Sequence, residues 1–283
     1  MHNIARRTLI LFGIVAWLCS AAAGQAIAFV LPEKAADTAF VDMIIERLRK
    51  HVTVADLSLA ASAFHASRIG DPYNMTLSES RNLGAAIGCD FFVVLNNEVQ
   101  RRAVIGGEAK YEAYAVLRMV STRTGRLVHF GIVSAAEADP DAATRKLRGM
   151  APEVADSLLL ALSTFRKNTA SEISAAPIEE VPHQGSRAAT GLTPPIPYRR
   201  IKPEYTSAAS LYGVAATVEI LVDLDERGAI IRTDIARWAG FGLDESVEKA
   251  VRSMTWRGAY RDGKPLPMRV LLRYNFKKLD GTK

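Results

Sequence analysis

The sequence predicts an α+β protein with two domains, an amino-terminal α/β domain and a carboxy-terminal domain of the order β-β-α-β, joined by a proline-containing linker. Three observations predict this organisation. Strand and helix patterns alternate over residues 27–167, apolar periodicity disappears over residues 168–196, and residues 197–278 contain long alternating strands and one amphipathic helix. With 283 residues, of which 49% are hydrophobic and 23% charged, the chain can form two ordinary cores.

The first 26 residues have the layout of an export signal. The pair Arg6-Arg7 precedes an apolar run over residues 9–18, and small residues follow up to Ala26. Cleavage after Ala23 or Ala26 would leave a soluble exported protein, which is the interpretation that we favour.

The alternative is an uncleaved membrane anchor over residues 8–31, which exceed the roughly 20 residues that a spanning helix needs. Two features count against it. Residues 27–31 end at Pro32 and are typical of the first strand of a domain, and the small residues over 21–26 lower the hydrophobicity where a span should still be strongly apolar.

The charge pattern and the cysteine content argue against a nucleic-acid-binding protein and against a disulfide-stabilised one. The formal net charge is +6, but no dense Lys/Arg run with interleaved aromatic residues occurs, so a basic solvated surface is predicted and no nucleic-acid partner. Of the two cysteines, Cys19 lies in the export segment and Cys89 begins an apolar strand. Cleavage would therefore leave no intrachain disulfide, and Cys89 is predicted to be a buried thiol.

The amino-terminal domain follows from local patterns. The helix that begins at Thr76 has a capping box with Glu79 and ends at Gly88. The predicted elements are, in order, a strand at 27–31, a helix containing Phe40, Met43, Ile44 and Leu48, a strand at 51–55, the helix 76–88, a strand at 90–95, a hairpin of 111–121 with 126–133, and a helix at 152–165.

The region 168–196 is predicted to be a flexible linker, because prolines are mixed there with Ser, Thr, Gly and Ala. A linker of this length would let the two domains sit well apart. After it, a strand over 214–224 turns at Gly228 and returns over 229–236, a helix begins at Gly242, and a last strand runs to Phe276, before a tail at 279–283.

The carboxy-terminal part carries an ordered array: Pro203-Glu204-Tyr205, Gly228, Gly242-Leu243-Asp244, Trp256, Asp262-Gly263-Lys264-Pro265 and Phe276. In this order the residues resemble the TonB carboxy-terminal domain, over residues 197–278. One position departs from the family pattern, and two tryptophans carry expectations about burial. Thr206 replaces a proline, Trp256 is expected in the core, and Trp238 is expected as an exposed contact or a half-buried loop residue.

The resemblance implies that the domain binds an extended peptide of an outer-membrane TonB-dependent receptor by adding a strand to its sheet edge. The partner-binding residues implied on the last strand and before the first are Arg269, Leu271, Arg273, Asn275, Lys277 and Tyr205. The charged residues could also serve only as guards against edge-to-edge aggregation, or the same edge could mediate a homodimer.

Residues 27–167 are similar, with looser motifs, to the amino-terminal α/β domain of TolB and to CsgG-like envelope proteins, in which this fold serves docking or scaffolding. No catalytic constellation is present in the sequence. The histidines lack metal-ligand spacing, and the glycines around Phe241 lack the third glycine of a dinucleotide fingerprint. The chain is therefore predicted not to be an enzyme and to need no cofactor or metal.

The leading hypothesis is a TonB-family protein of the periplasm, soluble after cleavage or anchored in the inner membrane. An anchored form would add an ExbB/ExbD-like proton-driven complex as a second partner. The family anchor usually carries a serine and a histidine, whereas the apolar segment here contains Ser20 but no histidine. The alternative hypothesis is a scaffold or adaptor of an envelope complex without energy coupling.

Overall fold

The structure is a computed structural model that describes residues 25–33, 37–103, 108–169 and 178–278. Helices and strands are mixed in both halves of the chain, so the α+β class is confirmed. The predicted cleavage site after Ala23 and the predicted tail at 279–283 lie outside the described residues, whereas the alternative site after Ala26 lies at the start of the first described strand. Among the helices that are described, none is long and apolar enough to cross a membrane.

The amino-terminal half is built on a five-stranded sheet of the order β2-β1-β3-β4-β5. Its strands are β1 (Ala26–Val30), β2 (Thr53–Val54), β3 (Phe91–Arg102), β4 (Lys110–Ser121) and β5 (Leu127–Glu137). The first three pair in parallel, and β3, β4 and β5 pair antiparallel. The predicted hairpin is therefore confirmed as β4 and β5.

The position of β1 corrects the membrane-anchor alternative. The side chains of residues 27–30 are almost fully buried between helices on both faces of the sheet. A span that reached residue 31 would remove an inner strand of this fold, so the extent 8–31 is wrong. An anchor would have to end before Ala26.

Five helices flank the sheet on its two faces. One face is covered by α1 (Thr38–Leu48), α4 (Pro140–Gly149) and α5 (Ala151–Thr169), and the other by α2 (Leu57–Ser67) and α3 (Leu77–Ile87). The sequence patterns did not predict α2 or α4.

Two local predictions in this half are confirmed. The capping box at the start of α3 forms, because the Thr76 hydroxyl accepts from the Glu79 amide and the Glu79 carboxylate accepts from the Thr76 amide. Cys89 is buried beside Gly84 and Thr122, and burial raises the pKa of its thiol to about 11.

The carboxy-terminal half contains the predicted β-β-α-β order. Its main sheet has the order β13-β8-β9, with β8 (Ala216–Leu224), β9 (Ile230–Arg237) and β13 (Met268–Phe276) all antiparallel. The helix α7 (Leu243–Arg252) packs on one face, and the short α6 (Ser207–Leu211) precedes β8. Trp256 is buried in this core, as predicted.

From residue 178 onward, where the structure describes it, the predicted flexible linker contains short paired segments and a 3₁₀ helix at Arg187–Ala189. The short strand β6 (Leu192–Thr193) pairs with β11 (Ala259–Arg261), which also pairs with β12 (Lys264–Leu266). The short strand β7 (Ile196–Pro197) pairs with β10 (Trp256–Arg257). The backbone N–H and C=O groups of these short strands are hydrogen-bonded to strands of the carboxy-terminal half, which the composition of the segment alone did not predict. The described part of this segment is therefore paired with strands of the carboxy-terminal half.

The expectation that the two halves sit well apart is wrong. Helices α2 and α3 cover only part of their sheet face, and the carboxy-terminal half covers the rest: Tyr114 and Val116 of β4 belong to the same core as Ile220, Phe241 and Leu272. Strand β4 is thus buried on both faces from Glu112 to Ser121. The two halves share one continuous apolar interface.

Trp238 is the clearest correction to the sequence prediction. Its side chain is only 1% exposed and lies in the core of the amino-terminal half beside Met75 and Leu83. The indole N–H donates to the Ser80 hydroxyl at 3.3 Å. The side-chain amide of Asn74 donates to the Trp238 carbonyl at 2.6 Å, so the backbone and the side chain of the tryptophan are both held.

Two buried ionisable groups lie at the same interface. The Arg118 guanidinium lies 5.0, 5.6 and 5.3 Å from the ring centres of Tyr73, Phe130 and Phe241, and burial lowers its pKa to about 10. The Asp244 carboxylate accepts from the amides of Ala239 and Gly240, each at 2.9 Å. Asp244 lies in the first turn of α7, is buried, and holds the loop that precedes the helix.

Candidate functional site

The candidate site is the outer edge of β13. This strand is the last in its sheet, with β8 on its inner side. At Arg269 the backbone N–H and C=O point away from β8, since both bond to residues outside the sheet. In an antiparallel strand the direction alternates from residue to residue, so the backbone groups of Leu271, Arg273 and Asn275 also point outward.

From Leu271 to Phe276, no strand of the described residues pairs with this outer edge. Three N–H donors and three C=O acceptors, those of Leu271, Arg273 and Asn275, are therefore available in a row. Sheet edges of this kind can accept an additional strand through main-chain hydrogen bonds.

The side chains of β13 separate into two faces as predicted. One face packs into the core, with Leu272 and Phe276 buried and Val270 and Tyr274 against them. On the other face Leu271 is 42% exposed, and Arg273 and Asn275 are exposed. The pleat therefore places the predicted residues on the solvent face while their backbone faces the open edge.

Arg269 is committed to an ion pair within the sheet. Its Nε and Nη2 donate to Asp223 of β8 at 2.6 and 2.9 Å, and Arg232 of β9 donates to the same carboxylate at 3.0 Å. Burial would raise the pKa of Asp223, but hydrogen bonds and charge from the two arginines outweigh it, and the pKa lies below its usual value. Arg269 thus neutralises a buried carboxylate.

The remaining predicted residues differ in how free they are. Arg273 donates to Glu219 at 2.8 Å, although its side chain stays 62% exposed, and Asn275 accepts from the Thr217 hydroxyl at 2.8 Å. Lys277 is exposed beyond the end of the strand. Its charge and that of Arg273 are the ones that face solvent on this side.

Tyr205 is separated from the other five predicted residues. Its ring stacks on Phe276, on the core side of β13, at a centroid distance of 6.2 Å. The hydroxyl donates to the carbonyls of Val214 and Ala209 at 2.8 and 3.1 Å. In this structure Tyr205 fastens the segment before β8 to the domain.

Two features of the edge were missed from sequence. Residues 179–181 pair with Arg269 on the outer side of β13, and Arg261 of β11 donates to both carboxylate oxygens of Glu179. The only local signal is a short apolar-acidic pattern, Ile178 to Val181, between two prolines. It was interpreted as part of a flexible linker.

Within residues 25–33, 37–103, 108–169 and 178–278, no group of three or more His, Cys, Asp or Glu side chains could hold a metal ion. What this site offers is backbone donors and acceptors, one exposed leucine and positive charge.

The geometry defines a small α+β domain with an open sheet edge at β13, and its sequence places that domain in a family. Residues 201–278 match the family model described as Gram-negative bacterial TonB protein C-terminal. This part of the chain is therefore a TonB C-terminal domain, and the resemblance predicted for it is confirmed. The match begins after residue 200, so it does not include the amino-terminal half.

Comparisons with solved structures find several with low sequence identity. A hypothetical protein, CT253, from Chlamydia trachomatis is 12% identical, with 47% of this chain and 96% of that chain covered and a TM-score of 0.33. Lipoprotein GNA1162 from Neisseria meningitidis is 14% identical, with 48% and 98% covered and a TM-score of 0.33. The TonB carboxy-terminal domain of Pseudomonas aeruginosa is 19% identical, with 36% and 100% covered and a TM-score of 0.27.

Among curated proteins, no sequence matches this chain. The likeness of residues 27–167 to TolB and CsgG-like domains stays a prediction, as do the domain bounds at 167 and 197.

Proposed function

We propose that this protein is a TonB-family protein of the periplasm that binds an extended segment of an outer-membrane TonB-dependent receptor at the outer edge of β13. The observation that carries the proposal is the row of outward backbone groups at Leu271, Arg273 and Asn275 in a TonB C-terminal domain. Strand addition would use these groups for affinity and the side chains on the solvent face for selectivity.

The charges near the edge support an acidic or polar partner over an apolar one. Arg269 is neutralised by Asp223, but Arg273 remains largely exposed and Lys277 is exposed. Exposed positive charge raises the rate of encounter with an acidic segment more than it raises the final affinity. Leu271 offers the only large apolar contact on the solvent face of β13 among the described residues.

The test is the replacement of Leu271 by proline in the full chain. The outward N–H of Leu271 is not used in the ladder with β8, so proline removes a donor for the partner and leaves the sheet pairing in place. We expect binding of a synthetic receptor segment to weaken by at least about tenfold, the effect of roughly one lost hydrogen bond and an obstructed ladder.

The matched control is Leu271→Thr, which retains the backbone donor and a β-forming side chain. Binding by calorimetry or fluorescence anisotropy should change less than about threefold for this variant, and both variants should retain the wild-type circular dichroism spectrum. Equal binding by wild type and Leu271→Pro would place the receptor site elsewhere.

A second candidate, an adaptor without energy coupling, is favoured by the interface between the two halves. Trp238, and Arg118 over the Phe241 ring, hold the TonB C-terminal domain against the sheet of the amino-terminal half. The open edge is thus presented by one packed body and not by a domain on a free arm. In this role the amino-terminal half would dock the partner complex, and no ExbB/ExbD-like complex would be needed.

Amino-terminal sequencing and membrane fractionation of the protein from a two-membrane bacterium separate the two candidates. A mature chain that begins near residue 24 or 27 in the soluble periplasm supports the adaptor. An intact chain in the inner membrane supports coupling to an ExbB/ExbD-like complex through residues before Ala26.

A further inference from the structure

The outer edge of β13 is already occupied at one end by the chain itself. The amide of Arg269 donates to the Glu179 carbonyl at 2.7 Å, and the amide of Val181 donates to the Arg269 carbonyl at 2.9 Å. The pairing is parallel, with Glu180 opposite Arg269. A partner strand added to this edge at residue 269 would need the same donor and acceptor.

A side-chain contact from β11 holds the same segment in place. Arg261 donates through Nη1 and Nη2 to the two carboxylate oxygens of Glu179, at 3.0 and 2.7 Å. A two-pronged guanidinium contact selects a carboxylate by geometry as well as by charge. Arg261 also donates to the Ala188 carbonyl at 3.2 Å, which holds the guanidinium in position.

The occupied part of the edge is short. Beyond Val181 the chain turns at residues 184–185 and leaves β13, so Leu271, Arg273 and Asn275 stay without a strand partner among the described residues. Both Arg261 and Glu179 are partly exposed, at 33% and 42%, so their ion pair is solvated and exchangeable. A longer strand can use the occupied and the open positions together, whereas residues 179–181 use only the first.

We propose that residues 178–182, here called the strap, are an internal stand-in for the partner strand, which runs parallel to β13, displaces the strap and places an acidic side chain on Arg261. This inference rests on the proposed strand addition and deepens it, because it assigns a direction, a starting position and an acidic residue to the partner. It also makes Arg261 a specificity-determining residue of the edge.

Tethering explains why a free peptide would compete poorly with the strap. A segment attached to the same chain acts at an effective concentration on the order of millimolar. A free copy of the strap sequence should therefore bind the wild-type edge only weakly, and much better after the tethered copy has been released.

The experiment uses the full chain and a synthetic peptide with the sequence of residues 176–184. The variant Val181→Pro removes the donor that bonds to the Arg269 carbonyl and leaves β13 and Arg261 unchanged, while Val181→Ala retains the donor as a control. Peptide binding is followed through the Arg269 and Arg261 resonances by NMR, up to about 10 mM peptide, a range set by the effective concentration.

We expect the Val181→Pro chain to bind the peptide at least about tenfold more tightly than wild type or Val181→Ala. A peptide with Gln in place of Glu179 should bind the Val181→Pro chain several-fold more weakly. In the wild type without peptide, the Arg269 amide should exchange slowly with solvent, and in Val181→Pro rapidly.

Equal peptide binding by the wild-type and Val181→Pro chains, no binding by Val181→Pro, or no effect of the Gln peptide would overturn the proposal. Rapid exchange of the Arg269 amide in the wild type would do the same. The receptor function can fail separately: if Leu271→Pro leaves receptor binding unchanged while the strap results hold, the edge is self-occupied but is not the receptor site.

Discussion

The sheet β13-β8-β9 meets its surroundings differently on its two sides. On the β9 side, Arg237 donates to the Asn74 carbonyl at 2.8 Å, Arg126 contacts Asp234 at 2.7 Å, and Trp238 is buried in the other half of the molecule. On the β13 side, the outward backbone groups from Leu271 to Asn275 have no strand partner among the described residues.

This difference separates the side that stabilises the molecule from the side that we propose binds a partner. The β9 side uses apolar burial and charges shielded from solvent, which stabilise one arrangement of the two halves. The β13 side keeps its charged residues exposed or paired within the sheet, which limits aggregation and leaves the edge accessible. Changes on the first side should therefore alter unfolding, and changes on the second side should alter binding.

The largest expected effect comes from Trp238→Ala. The substitution leaves a cavity in the core that the two halves share and an unpaired Ser80 hydroxyl, so the free energy of unfolding should fall by about 3–5 kcal/mol. Urea unfolding measures the change. Tyr198→Ala, at a side chain that is 73% exposed, is the control and should cost less than about 0.5 kcal/mol.

A loss below about 1 kcal/mol for Trp238→Ala would contradict the shared core, because only an exposed side chain is that inexpensive to remove. Receptor-segment affinity, extrapolated to fully folded protein, should stay near the wild-type value, since the open edge is on the other side of the sheet.

The second effect is a pH dependence of the stability, which arises at the interface between the two halves. Burial raises the pKa of Asp244 to about 7, against the lowering influence of the Gly240 and Ala239 amides. Since the unfolded chain titrates near pH 3.9, the stabilising contribution of the protonated carboxyl is complete below that pH and is lost as the pH rises through about 7.

The stability of the wild type relative to Asp244→Asn should accordingly decrease by roughly 3–4 kcal/mol between about pH 4 and pH 8. Urea unfolding of both proteins across this range measures it. A difference that does not change with pH would mean that Asp244 keeps an ordinary pKa and that the loop of residues 239–240 is solvated.

The smallest effect concerns the open side. Lys277→Glu reverses an exposed charge near the edge, whereas a change at Arg273 would also leave the Glu219 carboxylate without its partner on β13. Binding of an acidic segment should weaken about two- to fivefold at low ionic strength and by less at about 1 M salt, where charges are screened within roughly 3 Å. An equal loss at both salt concentrations would indicate altered folding.

Local patterns were sufficient for much of the fold. Alternation identified β8 and β13, the capping box placed the start of α3, and the apolar run around Val116 identified β4. These features depend on neighbours within a few residues, where periodicity and capping chemistry act directly. The family array of glycines, Trp256 and Phe276 then assigned the carboxy-terminal domain.

The contacts between the halves could not be predicted in the same way. Trp238 lies in a loop without periodicity, and its partners Met75 and Ser80 are more than a hundred residues earlier in the chain. Arg118 was the available signal, because a charged residue inside a strand with two buried faces needs partners beyond its own sheet. The strap was missed because its pairing depends on a distant edge and not on its own composition.

The measurement that tests the central claim most directly is amide hydrogen exchange of the full chain with and without a bound receptor segment. Our account predicts that the amides of Leu271, Arg273 and Asn275 exchange rapidly in the free protein and become protected in the complex, while the amides of β9 do not change. Protection on β9 or on the amino-terminal sheet, with Leu271 to Asn275 still exchanging rapidly, would contradict it.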